Sequence, residues 1–300
     1  MQPVKLIIIG AGQRGTGYAA YAQHFPEQPQ IVGVAEPRDF HREQMMAEYG
    51  ILPENAVTDW TELAARDRFA DGAVVSTQDA MHADPAVALA AKGYHLLVEK
   101  PLAPTEEECR RIVAAVTENG VMLAVGHVLR YTSYTRRLKA LIDAGKIGDI
   151  VNIQRMEPVG FWHQAHSYVR GNWRSEEESS SMLLAKSCHD IDWIRYIMGS
   201  RCASVSSFGS LKHFKAAEKP EGAASRCVDC ACETDCPYSA VSIYMGRVKD
   251  GHTDWPVSVL TPEVTRESVL AALKDGPYGR CVYECDNDVV DNQVVNMMFE

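Results

Sequence analysis

The chain has 300 residues, 46% of them hydrophobic and 23% charged, which is more than one compact core ordinarily holds, so two domains are expected. A formal net charge of -10 with no cluster of Lys or Arg argues against a nucleic-acid partner, because neutralising phosphates requires a basic face; small molecules are the expected ligands. No segment approaches the roughly 18 consecutive apolar residues that span a bilayer, and the opening MQPVKLIIIGAG lacks the pattern of an export signal. Nine cysteines in such a chain fit a reducing cytoplasm, where thiols stay free or bind metal.

The first element is a β-branched run over residues 4–9, followed by Gly10-Ala11-Gly12-Gln13-Arg14-Gly15 and then by the helix-compatible TGYAAYAQHF. This is GxGxxG between a strand and a helix. Gly10 allows a tight turn, Gly12 lets backbone approach a pyrophosphate, and Gly15 lets helix and strand pack closely, with Gln13 and Arg14 on the same cofactor-binding turn. A second strand, residues 31–35, ends at Glu36, about 20 residues beyond the last glycine, where a ribose-binding carboxylate is expected. A carboxylate there repels a 2′-phosphate and favours NAD over NADP; Arg38 weakens that preference, since its side chain could swing to a phosphate. The alternation continues with a helix at 40–49, a strand at 72–76, a helix at 85–92, a strand at 95–98, a helix at 106–118 and a strand at 121–125. It implies right-handed crossovers, a parallel sheet, and a ligand lying off the carboxyl ends of the strands. In YHLLVEKPLAPT, residues 94–105, the apolar run is therefore a strand, and Glu99, Lys100 and Pro101 fall at its carboxyl end, on the rim of the cleft.

Taken together, GAGQRG, Glu36, the EKP at 99–101, GHVLRY at 126–131 and LIDAGKIGDIVNIQ at 141–154 resemble the Gfo/Idh/MocA family, the relatives of glucose-fructose oxidoreductase and inositol dehydrogenase. The resemblance runs through nearly the whole chain. It implies an α/β fold: a Rossmann-type doubly wound parallel sheet over residues 1–126, and a C-terminal α+β domain over 127–300 with an open, mainly antiparallel sheet. That second domain would bind substrate and make the contact of a homodimer or homotetramer. The resemblance further implies a nicotinamide cofactor and the oxidation or reduction of a carbinol carbon in sugars and cyclitols, with Lys100 as the catalytic lysine. A lysine suits that chemistry. Hydride leaves a carbinol carbon only as the hydroxyl proton is lost, and an ammonium stabilises the charge developing on oxygen. Glu99, its neighbour, is expected to pair with Lys100, hold its position and lie against the cofactor.

After Gly148 the segment DIVNIQRMEP, residues 149–158, alternates as a long strand would. It leads into GFWHQAHSYVRGNWRSEEESS, where rings can stack on sugar C–H faces and charged donors can hold hydroxyls; His163, His166, Tyr168, Arg170 and Trp173 are the expected substrate-wall residues. MLLAKSCHDIDWIRYIMG carries apolar residues at helical spacing and stops at Gly199. The family usually shows DxGxHxxD here, but Ala185 stands where the aspartate is expected and Ser187 where the glycine is, before His189 and Asp192. His189, with an ordinary pKa of ~6.5, is the expected acid/base for the hydroxyl proton, and Lys186 is expected to alter the electrostatics beside it. In RCVDCACETDCPYSA the spacing puts Cys227, Cys230, Cys232 and Cys236 within reach of one tetrahedral ion. A structural zinc comes first, with an iron-sulfur cluster, disulfides or free thiols as alternatives. The final DNDVVDNQVVNMMFE alternates like a sheet strand; the family generally continues further, so a shortened chain with an exposed sheet edge is expected.

Three functions are compatible with these residues. The first is an NAD-dependent oxidoreductase working on a sugar-like carbinol through Lys100 and His189. The second, which Ala185 and the aromatic segment favour, is a glycosidase that uses NAD transiently, oxidising a sugar carbon, eliminating the aglycone and returning the hydride. The third is a catalytically inactive cofactor- or sugar-sensing protein.

Overall fold

The structure, a computed structural model, describes residues 2–300, which form two compact units, one ending at His127 and the other beginning at Val128. In the first unit six strands, β1 (Val4–Ile9), β2 (Pro29–Ala35), β3 (Ala56–Val57), β4 (Gly72–Val75), β5 (His95–Val98) and β6 (Leu123–Val125), form a sheet in the order β3-β2-β1-β4-β5-β6. Every pairing is parallel. The order runs outward from β1 in both directions, so the topology reverses between β1 and β4, and a crevice opens at the carboxyl ends of those strands.

The apolar runs are explained by burial on both faces of the sheet. Ile7, Ile9, Val75 and Val98 enter the core on one face, and Ile8, Val34 and Val74 enter the core on the other. Glu106–Glu118 is the clearest covering helix. Thr105 Oγ accepts the Glu108 N–H at 3.2 Å, three glutamates occupy its first turn, and Ile112, Ala115 and Val116 form its buried stripe. The helix Asp39–Tyr49 stops at Gly50, whose φ of 64° is left-handed. The expected strands and helices of this half are present, with limits that agree to within about two residues; the two-residue β3 is too short to have shown a period.

In the second unit the helices Ser133–Asp143, Cys188–Met198 and Arg266–Asp275 accompany π-helical segments Gln164–Arg170 and Val241–Met245 and an antiparallel ladder of β7 (Cys202–Ser210) and β8 (Asn292–Phe299). The helix Cys188–Met198 ends at Gly199, φ 70°, as its sequence implies. Residues 149–158 differ from expectation. They form no strand, and Val151 and Met156 are 96% and 82% exposed. Alternation makes a strand only where a neighbour completes the ladder, and none of the described strands pairs with this segment. No helix among the described residues is long and apolar enough to cross a membrane.

Candidate active site

The turn after β1 requires glycine at two positions for different reasons. Gly10 has φ +87°, and a Cβ there would lie 3.0 Å from the Ser76 backbone. At Gly15 a Cβ would fall 2.0 Å from the Gly10 carbonyl oxygen, so helix α1 (Gln13–Ala19) can close on the turn only without a side chain. Gly12 is open by contrast, with Arg38 Nη2 at 3.7 Å as the one atom near its Cβ position; that leaves its backbone accessible to a diphosphate. Ser76 Oγ donates to the Gly10 carbonyl at 2.8 Å and ties the ends of β1 and β4 together.

Glu36, just beyond β2, is 2% exposed. Its carboxylate accepts the Ala11 N–H at 2.8 Å, Arg38 Nε at 2.7 Å and Arg38 Nη2 at 3.0 Å. Burial pushes its pKa up, but the hydrogen bonds from Arg38 and from the Ala11 N–H outweigh burial and hold it below the ordinary value. Arg38 is thus turned onto Glu36, and the fixed carboxylate beside the open Gly12 backbone fits the ribose and diphosphate of a dinucleotide.

Glu99 is the next buried anion, 4% exposed. Its Oε1 accepts Arg14 Nε at 2.6 Å and the Tyr18 hydroxyl at 2.8 Å, while Oε2 accepts the backbone N–H of Lys100 at 2.8 Å. Burial raises its pKa, and the Arg14 charge with the Tyr18, Arg14 and Lys100 hydrogen bonds reverses this, leaving it lowered. Tyr18 is pushed up to about 12 by burial and by the Glu99 charge. On the remaining side, a Cβ on Gly126 would lie 3.0 Å from Tyr18 Oη and 3.1 Å from Glu99 Oε1, so only glycine lets these groups close up. The Lys100–Pro101 peptide is cis. Below it His82, 1% exposed, spans the Pro101 carbonyl (Nδ1, 2.8 Å) and the Thr77 carbonyl (Nε2, 3.1 Å). Tyr18 and His82 belong to no motif, and Gly126 opens GHVLRY without a role having been assigned to it; Tyr18 left a signal of its own, one helical turn after Arg14 on the same face.

In the second unit much of the aromatic segment is interior, and three of the expected wall residues, His166, Tyr168 and Arg170, are buried. The segment winds into the π-helix Gln164–Arg170, every residue of which is buried. His166 is 2% exposed, meets the Tyr244 hydroxyl through Nδ1 at 2.7 Å and stacks on Tyr278 at 4.8 Å. Arg170 is 1% exposed and replaces its hydration with carbonyls, Nε donating to Arg280 O and Nη2 to Tyr238 O, each at 2.8 Å. Tyr168 packs with Ala185 and Val289. His163 and Trp173 are only partly buried; the His163 ring stacks on Trp162 and meets Trp255 edge-on. Lys186 Nζ is paired with Glu157 Oε1 at 2.8 Å. His189 lies in the first turn of Cys188–Met198, partly buried; on the same helix Asp190 accepts from Arg155 Nε at 2.7 Å and Asp192 accepts from Arg130 Nε at 2.7 Å.

Of the alternatives open for the four cysteines, the structural zinc placed first finds no support in the structure, and free thiols are what it shows. Among the described residues no group of three or more His, Cys, Asp or Glu side chains is arranged to hold a metal ion, and Cys227, Cys230, Cys232 and Cys236 form no disulfide. Cys230 and Cys232 are hydrogen-bonded to each other, and the sulfurs also meet other groups of the protein. Cys227 Sγ accepts from Arg170 Nη2 at 3.4 Å, Cys230 Sγ accepts the Ala224 N–H at 3.4 Å, and Cys232 Sγ donates to Glu221 O at 3.6 Å.

The buried imidazole has a consequence in solution. Burial, then the neighbouring charges of His163, Arg170 and Arg247, bring the pKa of His166 down to about 3 from 6.5. The unfolded chain binds the extra proton first, so the stability contributed by neutral His166 is full above pH 6.5 and is lost as pH falls toward 3. Thermal melts across that window should move down with pH, less steeply in His166→Phe than in the parent; equal slopes would contradict the placement.

The chain matches the profile of an oxidoreductase family with an NAD-binding Rossmann fold over residues 4–127, and that of the GFO/IDH/MocA C-terminal domain over residues 135–235. It is 27% identical over 213 residues to scyllo-inositol 2-dehydrogenase (NAD(+)) of Bacillus subtilis, covering 69% of this chain and 58% of the relative. To 2,7-anhydro-N-acetylneuraminate hydratase of Mediterraneibacter gnavus it is 26% identical over 209 residues, covering 70% and 53%. The chain spans 53% to 65% of the length of such relatives. Among solved structures, myo-inositol 2-dehydrogenase from Lactobacillus plantarum aligns with a TM-score of 0.62 at 20% identity, over 70% of this chain and 60% of that one; at such identity the likeness is one of fold. The glycine turn, the parallel sheet and the two matched profiles agree, and the protein belongs to the GFO/IDH/MocA family of oxidoreductases.

Proposed function

We propose that the protein binds NAD in its N-terminal unit and transfers a hydride between that cofactor and a carbinol carbon of a sugar or cyclitol. One observation carries the reading: the glycine turn after β1, the buried Glu36 after β2 and Glu99-Lys100-Pro101 after β5 all stand at carboxyl ends of strands in a single parallel sheet. Gly10, Gly12, Gly15 and the backbone of Gln13 would hold the diphosphate and Glu36 the ribose; the cofactor supplies the hydride acceptor or donor. With its carboxylate fixed and Arg38 folded onto it, Glu36 disfavours a 2′-phosphate, so NAD is the preferred form.

The ammonium of Lys100 balances negative charge developing on the substrate oxygen, and exchange of the hydroxyl proton is assigned to His189. His163 and Trp173, the partly buried members of the aromatic segment, are the candidates for contact with sugar. Lys186, held by Glu157, tunes the charge near the position where the family carries an aspartate. The named activity of the Bacillus subtilis relative supports a cyclitol or sugar as substrate, and the unbridged thiols suit a reducing cytoplasm.

The test is incubation of the purified protein with NAD and a panel of sugars and cyclitols. Reduced cofactor should accumulate with at least one polyol; tight NAD binding with no turnover on a broad panel would contradict the reading and favour a sensing role. A second reading rests on Ala185 in place of the family's aspartate and on the relative named as an anhydroneuraminate hydratase. In it the cofactor is reduced and reoxidised within one cycle of elimination. Product formation without net cofactor reduction, abolished when NAD is stripped and restored on readdition, would separate it from the first.

A further inference from the structure

We infer that Arg14 and Tyr18 are positioning residues that act through Glu99 to set the backbone of Lys100, and that this bond chain couples the glycine turn to the lysine. The inference rests on the proposed role of Lys100.

The two oxygens of Glu99 have separate tasks. Oε1 is held from α1 by Arg14 Nε at 2.6 Å and the Tyr18 hydroxyl at 2.8 Å, and Oε2 holds the Lys100 N–H at 2.8 Å. Arg14 Nη2 also donates to the Tyr18 hydroxyl at 3.1 Å, and its guanidinium lies 5.0 Å from the Tyr18 ring centre. The two donors therefore brace each other as well as the carboxylate. Rotation of that carboxylate would break its bonds on both sides at once, and the glycine at 126, where an added Cβ would stand 3.1 Å from Glu99 Cδ, is what lets it sit in this position.

The position of Arg14 gives the arrangement its direction. It is one of the two residues between Gly12 and Gly15, so a displacement of the turn carries the guanidinium with it, then Glu99, then the Lys100 peptide. A plain structural fastening between α1 and β5 would need only the Arg14–Glu99 ion pair. It would not need Oε2 turned to the N–H of the next residue, nor an arginine that remains 55% exposed at the rim of the sheet. Hydrogen bonds to a buried carboxylate are the strong class, and losing one donor leaves the anion under-solvated.

Arg14→Met should lower kcat by about 10- to 100-fold and weaken NAD by several-fold, and Tyr18→Phe, which removes one oxygen, should lower kcat by about 3- to 10-fold. With those donors gone burial dominates Glu99, so the acid limb of the kcat profile should move to higher pH; Arg14→Lys, which restores charge without the fork, should bring it part of the way back. A readout independent of turnover is the NMR signal of Lys100 after reductive 13C-methylation, identified by its loss in Lys100→Met; that signal should move in Arg14→Met and in Tyr18→Phe. Lower melting temperatures with the Lys100 signal position, the acid limb and NAD affinity all at parental values would overturn the coupling and leave a fastening only. If Arg14→Met does not fold, Tyr18→Phe decides by the same readouts. Undiminished turnover in Lys100→Met would instead sink the proposed function, while the Lys100 signal in the Arg14 and Tyr18 variants still reports on the clamp by itself.

Discussion

Lys100→Met is expected to slow hydride transfer by about a thousandfold and to leave NAD affinity within about threefold of the parent. The effect is large because a preorganised charge facing a developing oxyanion acts where little water competes, and methionine keeps most of the apolar stem but lacks the ammonium. The affinity should persist because the features that would hold the cofactor, the turn from Gly10 to Gly15 and the buried Glu36, lie on β1 and β2 and keep their own hydrogen bonds. The Glu99 contact should persist too, since it is made to the backbone N–H of residue 100 and not to the side chain's carbon stem. Single-turnover kinetics with a responsive polyol and calorimetric titration with NAD measure the two quantities separately. A parental rate would remove Lys100 from the chemistry; lost affinity with an unchanged bound-state rate would reassign it to cofactor binding.

Gly15→Ala and Gly12→Ala should behave in opposite ways. At Gly15 the new methyl would stand 2.0 Å from a backbone oxygen of Gly10 and 2.8 Å from Ser76 Oγ, and backbone cannot swing aside as a long side chain can. Either α1 lifts from the turn or the turn opens. The cost should be roughly 3 kcal/mol, a fall in melting temperature of about 10 °C, with NAD binding lost. At Gly12 the nearest atom is the far end of Arg38, at 3.7 Å, so the alanine protein should melt near the parent while its diphosphate contact weakens. Circular-dichroism melts and NAD titrations of both variants check this. Parental stability in Gly15→Ala would mean that α1 does not close on the turn as tightly as these distances require.

The readable parts of the chain were those set by local rules. A β-branched run, a GxGxxG and a helix-compatible stretch follow one another along the first two dozen or so residues, and each is constrained by its own backbone; Glu36 could be placed because the distance from glycine to carboxylate is a property of one βαβ unit. The EKP position followed from the same alternation, as a strand end in a parallel sheet has a defined relation to the cleft. The segment 160–174 was different. A ring-and-charge composition describes a sugar wall and a buried aromatic cluster equally well, and what decided for His166 and Arg170 were Tyr244, Tyr278, Tyr238 and Arg280, all distant along the chain.

Residues 149–158 failed as a strand for a related reason: their alternation is genuine, but a ladder needs a second edge that period cannot supply. The cysteine spacing allowed four thiolates around one ion, but in the structure Cys227, Cys230 and Cys232 meet hydrogen-bond partners of the protein. The clamp on Glu99 combined both cases. Arg14 was visible as a member of the turn, but its bond to a residue 85 positions away was not.

The most direct measurement is a crystal structure of the protein with NAD and a polyol that it turns over. The Lys100 ammonium should lie within hydrogen-bond distance, about 3 Å, of the substrate oxygen on the reacting carbon, with Glu99 still bound to the residue 100 N–H. A bound substrate whose reacting oxygen is held by other groups, with the Lys100 side chain directed away from it, would contradict the assignment of that lysine to the chemistry.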